Sequence, residues 1–434
     1  MTPSAGAWND GRGVVLVHDW LTGMRGGEKC LEPLCRRWPN AQLLTLFYRR
    51  GSVAASIEQL RIRPSWLNRL PAVTCYYRYL LPLMPLAAGW RIPQAELVVS
   101  FSHAVAKSAQ PPPAIPHVCY CFTPMRYAWH LKDAYFAPTT APPRSLPARL
   151  IQHTTTACRE WLLAAIRRWD RDTAQRVTHF IAISHTVRQR IRECYQRDAV
   201  VIYPPVDTDF YTPTFQRRQP FYLIVSALAP YKRFDLAIAA CNRLQRPLVV
   251  IGSGPQRRRL QALAGPTVHF LGWQPDTVVR DYLRRAQALL FPAEEDFGIV
   301  PLEAQACGCP VIGLGRGGLT ETVLPLGRSS TPTAVLFAEQ SVEAVVDAIL
   351  CWERQRHAFD PHVARRQALR FNRSRYEAEL FAYLDAVRNG TVAPSKMVPS
   401  TGALRTVTPS TASSVVASTI GMDTSATQLP RRAA

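Results

Sequence analysis

The stretch FPAEEDFGIVPLEAQACGCPVIGL, Phe291 to Leu314, decides how the chain is read. ALLFPA ends as a buried strand ends, Pro301 suits the first turn of a helix, and Gly308 suits the position just past its end, before a second strand in PVIGLG. Glu295 then falls in the loop above the strand's carboxyl end and Glu303 in the first helical turn, the edge at which open α/β sheets bind ligands. The amides of Phe297, Gly298 and Ile299 face the same edge and, with the helix dipole, favour a phosphate. A carboxylate beside them would accept from sugar or ribose hydroxyls. The plainer reading of Glu303 is an acid that stabilises a helix start, worth about 0.3–1 kcal/mol.

Outward from this unit, apolar runs alternate with amphipathic stretches, the pattern of parallel strands with crossover helices. VVLVHD (Val14 to Asp19), ELVVSF (Glu96 to Phe101) and HVCYCF (His117 to Phe122) read as strands of a first series. A second series begins at FYLIVSAL (Phe221 to Leu228) and continues through PLVVIGSG, VHFLGW, ALLFPA and PVIGLG. Between them, the prolines and aspartates of Pro204 to Pro213 suit a hinge. The class is therefore α/β, with two doubly wound domains over 1–205 and 206–370. A helix over 371–390 opens with Ser374 three before Glu377, a capping-box pattern. Residues 391–434 carry few large apolar side chains and read as a disordered tail. FAPTTAPPRSLPARL, around Pro138 to Pro147, reads as a surface loop.

The bulk numbers agree with this picture. A chain of 434 residues is long for one core, and 47% apolar with 19% charged residues is globular rather than disordered. The formal net charge of +21, mostly from arginine, favours an anionic partner: phosphates, nucleic acid or an acidic membrane surface. No secretory signal and no run of about 18 apolar residues is visible, so a cytoplasmic protein is expected. The eleven cysteines show no repeated spacing, and the pairs Cys119/Cys121 and Cys307/Cys309 lack a matching second pair, which favours buried thiols over a metal site.

Further candidates sit at other strand ends. Lys232 and Arg233 follow the Phe221 strand, where a cation can neutralise a diphosphate and stabilise charge as it leaves; a surface lysine is the competing reading. Gly252 and Gly254 allow close backbone approach, although a tight turn needs the same glycines. Gly26 and Gly27, in DWLTGMRGGEK, resemble a dinucleotide loop without its spacing. His103, in SFSHAVAK, could bond a sugar hydroxyl, shuttle a proton, or be structural. Tyr76 to Ile92, YYRYLLPLMPLAAGWRI, is either core or an interfacial patch.

Together EEDFGIVPLEAQACGCPVIG, GRGGLTE, PYKRFDLAI, GSGP and FIAISHTVRQRI resemble the retaining nucleotide-sugar glycosyltransferases of family 4, over Val14 to about Val387. HVCYCFTPMRYAWH and VIYPPVD resemble the branch with bacterial O-antigen and exopolysaccharide mannosyltransferases. The resemblance implies the two-domain GT-B fold, with Glu295 at the donor hexose, Glu303 at the ribose and Lys232 at the diphosphate. It puts Gly26 and Gly27 in a loop closing on donor and acceptor, and His103 beside the transferred sugar. It further implies a nucleotide-diphosphate sugar as donor, GDP-mannose foremost, and a lipid-linked or polysaccharide acceptor at an anionic membrane surface. Neither a cofactor nor a metal is expected, since no D-x-D motif stands in a suitable place, and no nucleic acid. Many relatives carry arginine where Ala227 stands, and the branch often has histidine where Phe122 stands. Two other readings stay open: a glycoside hydrolase with paired carboxylates, and a non-catalytic basic protein binding membranes or nucleic acid.

Overall fold

A computed structural model describes residues 10–129, 146–214 and 216–398. Two sheets, each parallel throughout, organise these residues. The first runs in the order β3-β2-β1-β4-β5-β6-β7. Its strands are β1 Val14–Leu21, β2 Gln42–Tyr48, β3 Arg61–Pro64, β4 Leu97–Ser102, β5 His117–Cys121, β6 His179–Ala182 and β7 Val200–Val201. The second runs β10-β9-β8-β11-β12-β13, with β8 Tyr222–Val225, β9 Leu248–Ile251, β10 Val268–Gly272, β11 Leu289–Phe291, β12 Val311–Leu314 and β13 Ala334–Phe337. β1, β4, β5, β9 and β12 are buried along their whole length. Such strands read as continuous apolar runs because helices cover both faces of a parallel sheet.

Each sheet reverses its winding once, between β1 and β4 in the first and between β8 and β11 in the second. A crevice opens at the carboxyl ends of the strands at such a reversal. The chain crosses between the sheets at two places. On the first crossing Val206 packs in the core of the first sheet and Tyr211 in that of the second. On the return, Val206 N–H donates to Phe371 O at 2.9 Å. The helix Arg373–Arg388 then lies on the first sheet's core through Tyr376, Leu380, Leu384 and Val387.

Several local expectations need correction. The helix Arg373–Arg388 is capped by Asn372, whose side chain accepts from Arg375 N–H at 2.7 Å, so Ser374 lies inside the first turn and makes no capping box. Residues 391–398, expected to be disordered, are ordered against the first domain. Asp198 N–H donates to Lys396 O and Ser395 N–H to Thr178 O, each at 2.9 Å, and backbone bonds of this kind need no large side chain. Residues 399–434 and most of the loop around Pro138 to Pro147 lie outside the described residues, and a helix is already under way from Leu146 to Ala174. In Tyr76 to Ile92, Tyr77, Leu81, Met84, Ala87 and Ile92 are core, whereas Leu86 is 73% exposed.

Candidate active site

All four loops at the two winding reversals carry candidate residues, and the strand that leads into each explains why. β1 carries His18, Asp19 and Trp20 just before its last residue, Leu21. Asp19 is fully buried, and its carboxylate accepts from four successive amides after β4: His103 (2.6 Å), Ala104 (3.0 Å), Val105 (2.7 Å) and Ala106 (2.7 Å). His103 Nδ1 stands 2.9 Å from the same carboxylate, and the ring meets Trp20 edge-on at 4.3 Å. Burial alone would raise the Asp19 carboxyl, but His103 and the amides outweigh it and hold the group well below the usual carboxylate range. Behind the loop, Lys107 and Asp170 form a buried ion pair. Asp170 also accepts from Trp129 Nε1 at 2.9 Å and Tyr195 OH at 2.8 Å. His103 thus sits on a turn pinned from both sides.

A carboxylate that receives four amides cannot be replaced by an amide without setting one donor against others. We expect Asp19→Asn to cost about 2–4 kcal/mol, from the loss of charge-assisted bonds at a buried site. The sign with pH follows from the lowered folded value. Asp19 contributes its full stability above about pH 4, its unfolded range, and loses it progressively as pH falls from there through the lower folded value. Urea denaturation of Asp19→Asn at pH 7 and pH 3 should show a large difference from the parent at the first and a smaller one at the second.

The loop after β1 leads into the helix Gly26–Arg37. A Cβ on Gly26 would lie 2.7 Å from Ile299 Cδ1, and one on Gly27 would lie 3.1 Å from His18 Nε2 and 3.3 Å from the Phe122 ring. Gly26 therefore brings the first domain against the helix Ile299–Ala306 of the second. At both glycines the space a side chain would need is taken by the chain itself.

In the second domain, β8 leads to a turn at Pro230–Lys232, and Lys232 pairs with Glu295 in the loop after β11. Both side chains are mostly buried, 13% and 14% exposed. Arg233 turns to Asp235 at 3.1 Å instead. Ala227 is exposed, and the Tyr231 ring meets two cations, Lys232 at 5.2 Å and Arg126 of the first domain at 5.7 Å from the ring centre. Gly252, at φ +141°, passes so close to Ser226 that a Cβ would meet its carbonyl oxygen at 1.8 Å. Gly254 is pressed likewise on Leu228, so these glycines shape the β8 loop.

The helix Ile299–Ala306 starts from Gly298 at φ +88°, and the amides of Ile299 and Val300 find no acceptor among the described residues. Phe297 contributes no side chain to the crevice: it is 3% exposed, stacked on Tyr203 at 5.7 Å and packed on Phe371. Glu303 lies in the second turn rather than the first, because the helix begins at Ile299 and not nearer Pro301. It is 7% exposed, and burial pushes its carboxyl up to about 7, with Lys29 from the first domain and Tyr211 opposing the rise and Asp276 adding to it.

Sequence reasoning missed the residues that lock the two domains together. Asp296 pairs with Arg126 and Arg190, and its backbone oxygen accepts from Ser184 Oγ at 2.6 Å. Glu321 caps the helix His185–Tyr195, accepting from His185 N–H at 2.8 Å and Thr186 N–H at 2.9 Å. Asp19 was also missed, although HDW at a strand end and SFSH at the next strand end were both visible. Among the described residues no group of three His, Cys, Asp or Glu side chains is placed to hold a metal ion. Cys307 and Cys309 are buried, and burial raises both thiols, that of Cys307 to about 12.

Two parallel doubly wound domains with candidate residues on facing carboxyl edges define the GT-B architecture. Solved GT-B proteins confirm the fold: Anabaena HepE with UDP and glucose (TM-score 0.61, 16% identity, 86% of this chain and 99% of that one). A sucrose-phosphate synthase from Thermosynechococcus elongatus superposes equally well (TM-score 0.62, 16% identity, 87% of this chain and 100% of that one). Residues 207–369 match the family model described as Glycosyl transferases group 1. The D-inositol 3-phosphate glycosyltransferase of Mycobacteroides abscessus is 32% identical over 171 residues, 34% of this chain and 38% of the relative. A GDP-mannose-dependent alpha-(1-6)-phosphatidylinositol monomannoside mannosyltransferase of Mycolicibacterium smegmatis is 31% identical over 180 residues, 34% of this chain and 47% of the relative. The chain thus spans less than half the length of these curated relatives.

Proposed function

We propose that the protein is a retaining glycosyltransferase that moves a hexose from a nucleotide-diphosphate sugar to a lipid-linked or polysaccharide acceptor in cell-surface glycan assembly. The observation that carries this reading is the pairing of Lys232 with Glu295 in the loop that leads to the unpartnered amides of Ile299 and Val300, together with the pinned His103 turn at a strand end of the first domain. Cation and amides suit a diphosphate. Glu295 suits the hexose hydroxyls and Glu303 the ribose, leaving His103 beside the transferred sugar with Asp19 as its positioning residue. The leaving diphosphate, drawn toward Lys232, would take up the acceptor's proton as the new bond forms on the face it vacates. Mannose from GDP-mannose is favoured because the Mycolicibacterium relative is named for that donor.

A transfer assay with GDP-mannose and UDP-glucose, using a membrane lipid extract as acceptor, tests the proposal. Hexose should reach the lipid phase with its anomeric configuration retained. Free sugar released from an oligosaccharide without nucleotide would point to the hydrolase reading instead.

A lipid-linked acceptor requires contact with a membrane, and among the described residues no helix is long and apolar enough to cross one. Successive short helices at Trp66–Arg69 and Met84–Ala87 present Trp66, 52% exposed, and Leu86, 73% exposed, with Arg61, Arg63, Arg69 and Arg91 also exposed. Each basic residue at an anionic surface contributes about 1 kcal/mol, decaying over about 8 Å at physiological salt. The protein should co-sediment with anionic but not neutral vesicles, less so at high salt and less so as the Arg69→Glu/Leu86→Ser variant. Equal partitioning to both vesicle types would contradict this.

A further inference from the structure

On the opposite edge of the second sheet, at the amino ends of β11, β12 and β13, lies a cavity of about 370 Å³. Four arginines line it, Arg217, Arg218, Arg284 and Arg356, against a single carboxylate, Asp360. Asp360 is already engaged, capping the next helix by accepting from His362 N–H at 2.8 Å. Arg217 and Arg356 are exposed and form no ion pair among the described residues. Arg218 spends its guanidinium on backbone oxygens alone, donating to Ala286 O at 2.8 Å and to Gly308 O. Arg284 donates to Thr212 O at 2.6 Å and meets Asp281 only at 3.4 Å. Trp352 also lines the cavity; it is 5% exposed, and its indole N–H has no acceptor among the described residues.

Like charges gathered around a hollow repel one another, and a buried donor without an acceptor costs free energy. An anion in the cavity would relieve the repulsion among the arginines. The remaining walls combine apolar groups, Phe359 with Pro213, Pro310, Pro332 and Pro361, and the neutral polar side chains of Gln216, Gln287 and Thr333, and the volume falls in the range of small-ligand sites. We propose that this cavity is a second binding site, separate from the crevice, for a small organic phosphate: a phosphate monoester held by Arg217, Arg356 and Arg218, its ring against Phe359 and the prolines. It stands whatever the crevice binds. Its position has a consequence for that crevice, because Gly308 ends the helix Ile299–Ala306 that carries Glu303. A phosphate competing for Arg218 would release the Gly308 carbonyl at one end of a helix whose other end faces the crevice, about 12 Å away at 1.5 Å per residue.

Calorimetry on the full chain with ribose 5-phosphate and with inorganic phosphate, at low ionic strength, tests the site. Ribose 5-phosphate should bind more tightly than inorganic phosphate, keep its affinity in Lys232→Ala, and lose at least tenfold in Arg217→Glu/Arg356→Glu. Both of these arginines are exposed, and Arg217→Gln/Arg356→Gln provides the milder second variant, expected to lose affinity in the same direction. No binding to the parent at millimolar concentration, binding indifferent to both double variants, or loss in Lys232→Ala instead would overturn the proposal. Equal affinity for the two probes would overturn its organic part.

Discussion

Glu295→Gln is expected to lower hexose transfer by about two to three orders of magnitude while leaving the far-UV circular dichroism unchanged. The size follows from the roughly 2.7–4 kcal/mol lost when one preorganised contact to a developing charge is removed. The ligand-free structure adds a reason. Lys232 and Glu295 hold each other in a mostly buried pair, so a diphosphate that draws off the ammonium leaves the carboxylate to take hydroxyl donors from the hexose. Gln keeps the shape but not the charge, and Lys232 then has no partner to exchange. Near-normal turnover of Glu295→Gln with the true donor would remove Glu295 from the site.

The second large effect runs the other way. Glu303→Gln should stabilise the protein at pH 8 by about 2–3 kcal/mol and leave stability at pH 5 nearly unchanged, while weakening nucleotide binding. Burial raises the folded carboxyl to about 7, above its unfolded value of 4.5. The folded state therefore holds its proton more tightly, and the parent loses stability as pH rises from about 4.5 to 7, with the full penalty present above that. A neutral amide escapes the penalty at every pH. Thermal denaturation of parent and variant at both pH values checks the sign, and a variant less stable than the parent at pH 8 would contradict it. Function that costs stability is common at binding sites.

What was legible in the sequence was whatever local pattern dictates. Continuous apolar runs gave β1, β4, β5, β8, β9, β11 and β12, because a strand covered on both faces cannot alternate, and the shorter run VHFLG gave β10, of which only Val268 is buried. Short strands such as β7 Val200–Val201, with one exposed residue, carry no such signal. Glu295, Lys232 and His103 stood out as candidates because they follow strand ends, and they do lie after β11, β8 and β4. Asp19 was overlooked because its partners are 84 to 87 positions away, and no spacing rule reaches that far. Asp296 was overlooked for the same reason, since its arginines lie 106 and 170 positions distant, on the other domain. Glu303 was placed one turn too early because Pro301 tolerates any position before the first intrahelical bond, so it marks a helix start only loosely.

In the proposed reaction Lys232 holds a nucleoside diphosphate in the crevice. Calorimetric titration of the parent and of Lys232→Ala with GDP and UDP, alongside guanosine and uridine, tests it most directly. One of the two diphosphates should bind the parent, and Lys232→Ala should weaken that diphosphate about 10- to 100-fold, the range for a charge-assisted contact, while changing the matching nucleoside little. Equal losses for diphosphate and nucleoside, or no binding of either diphosphate to the parent, would contradict the account.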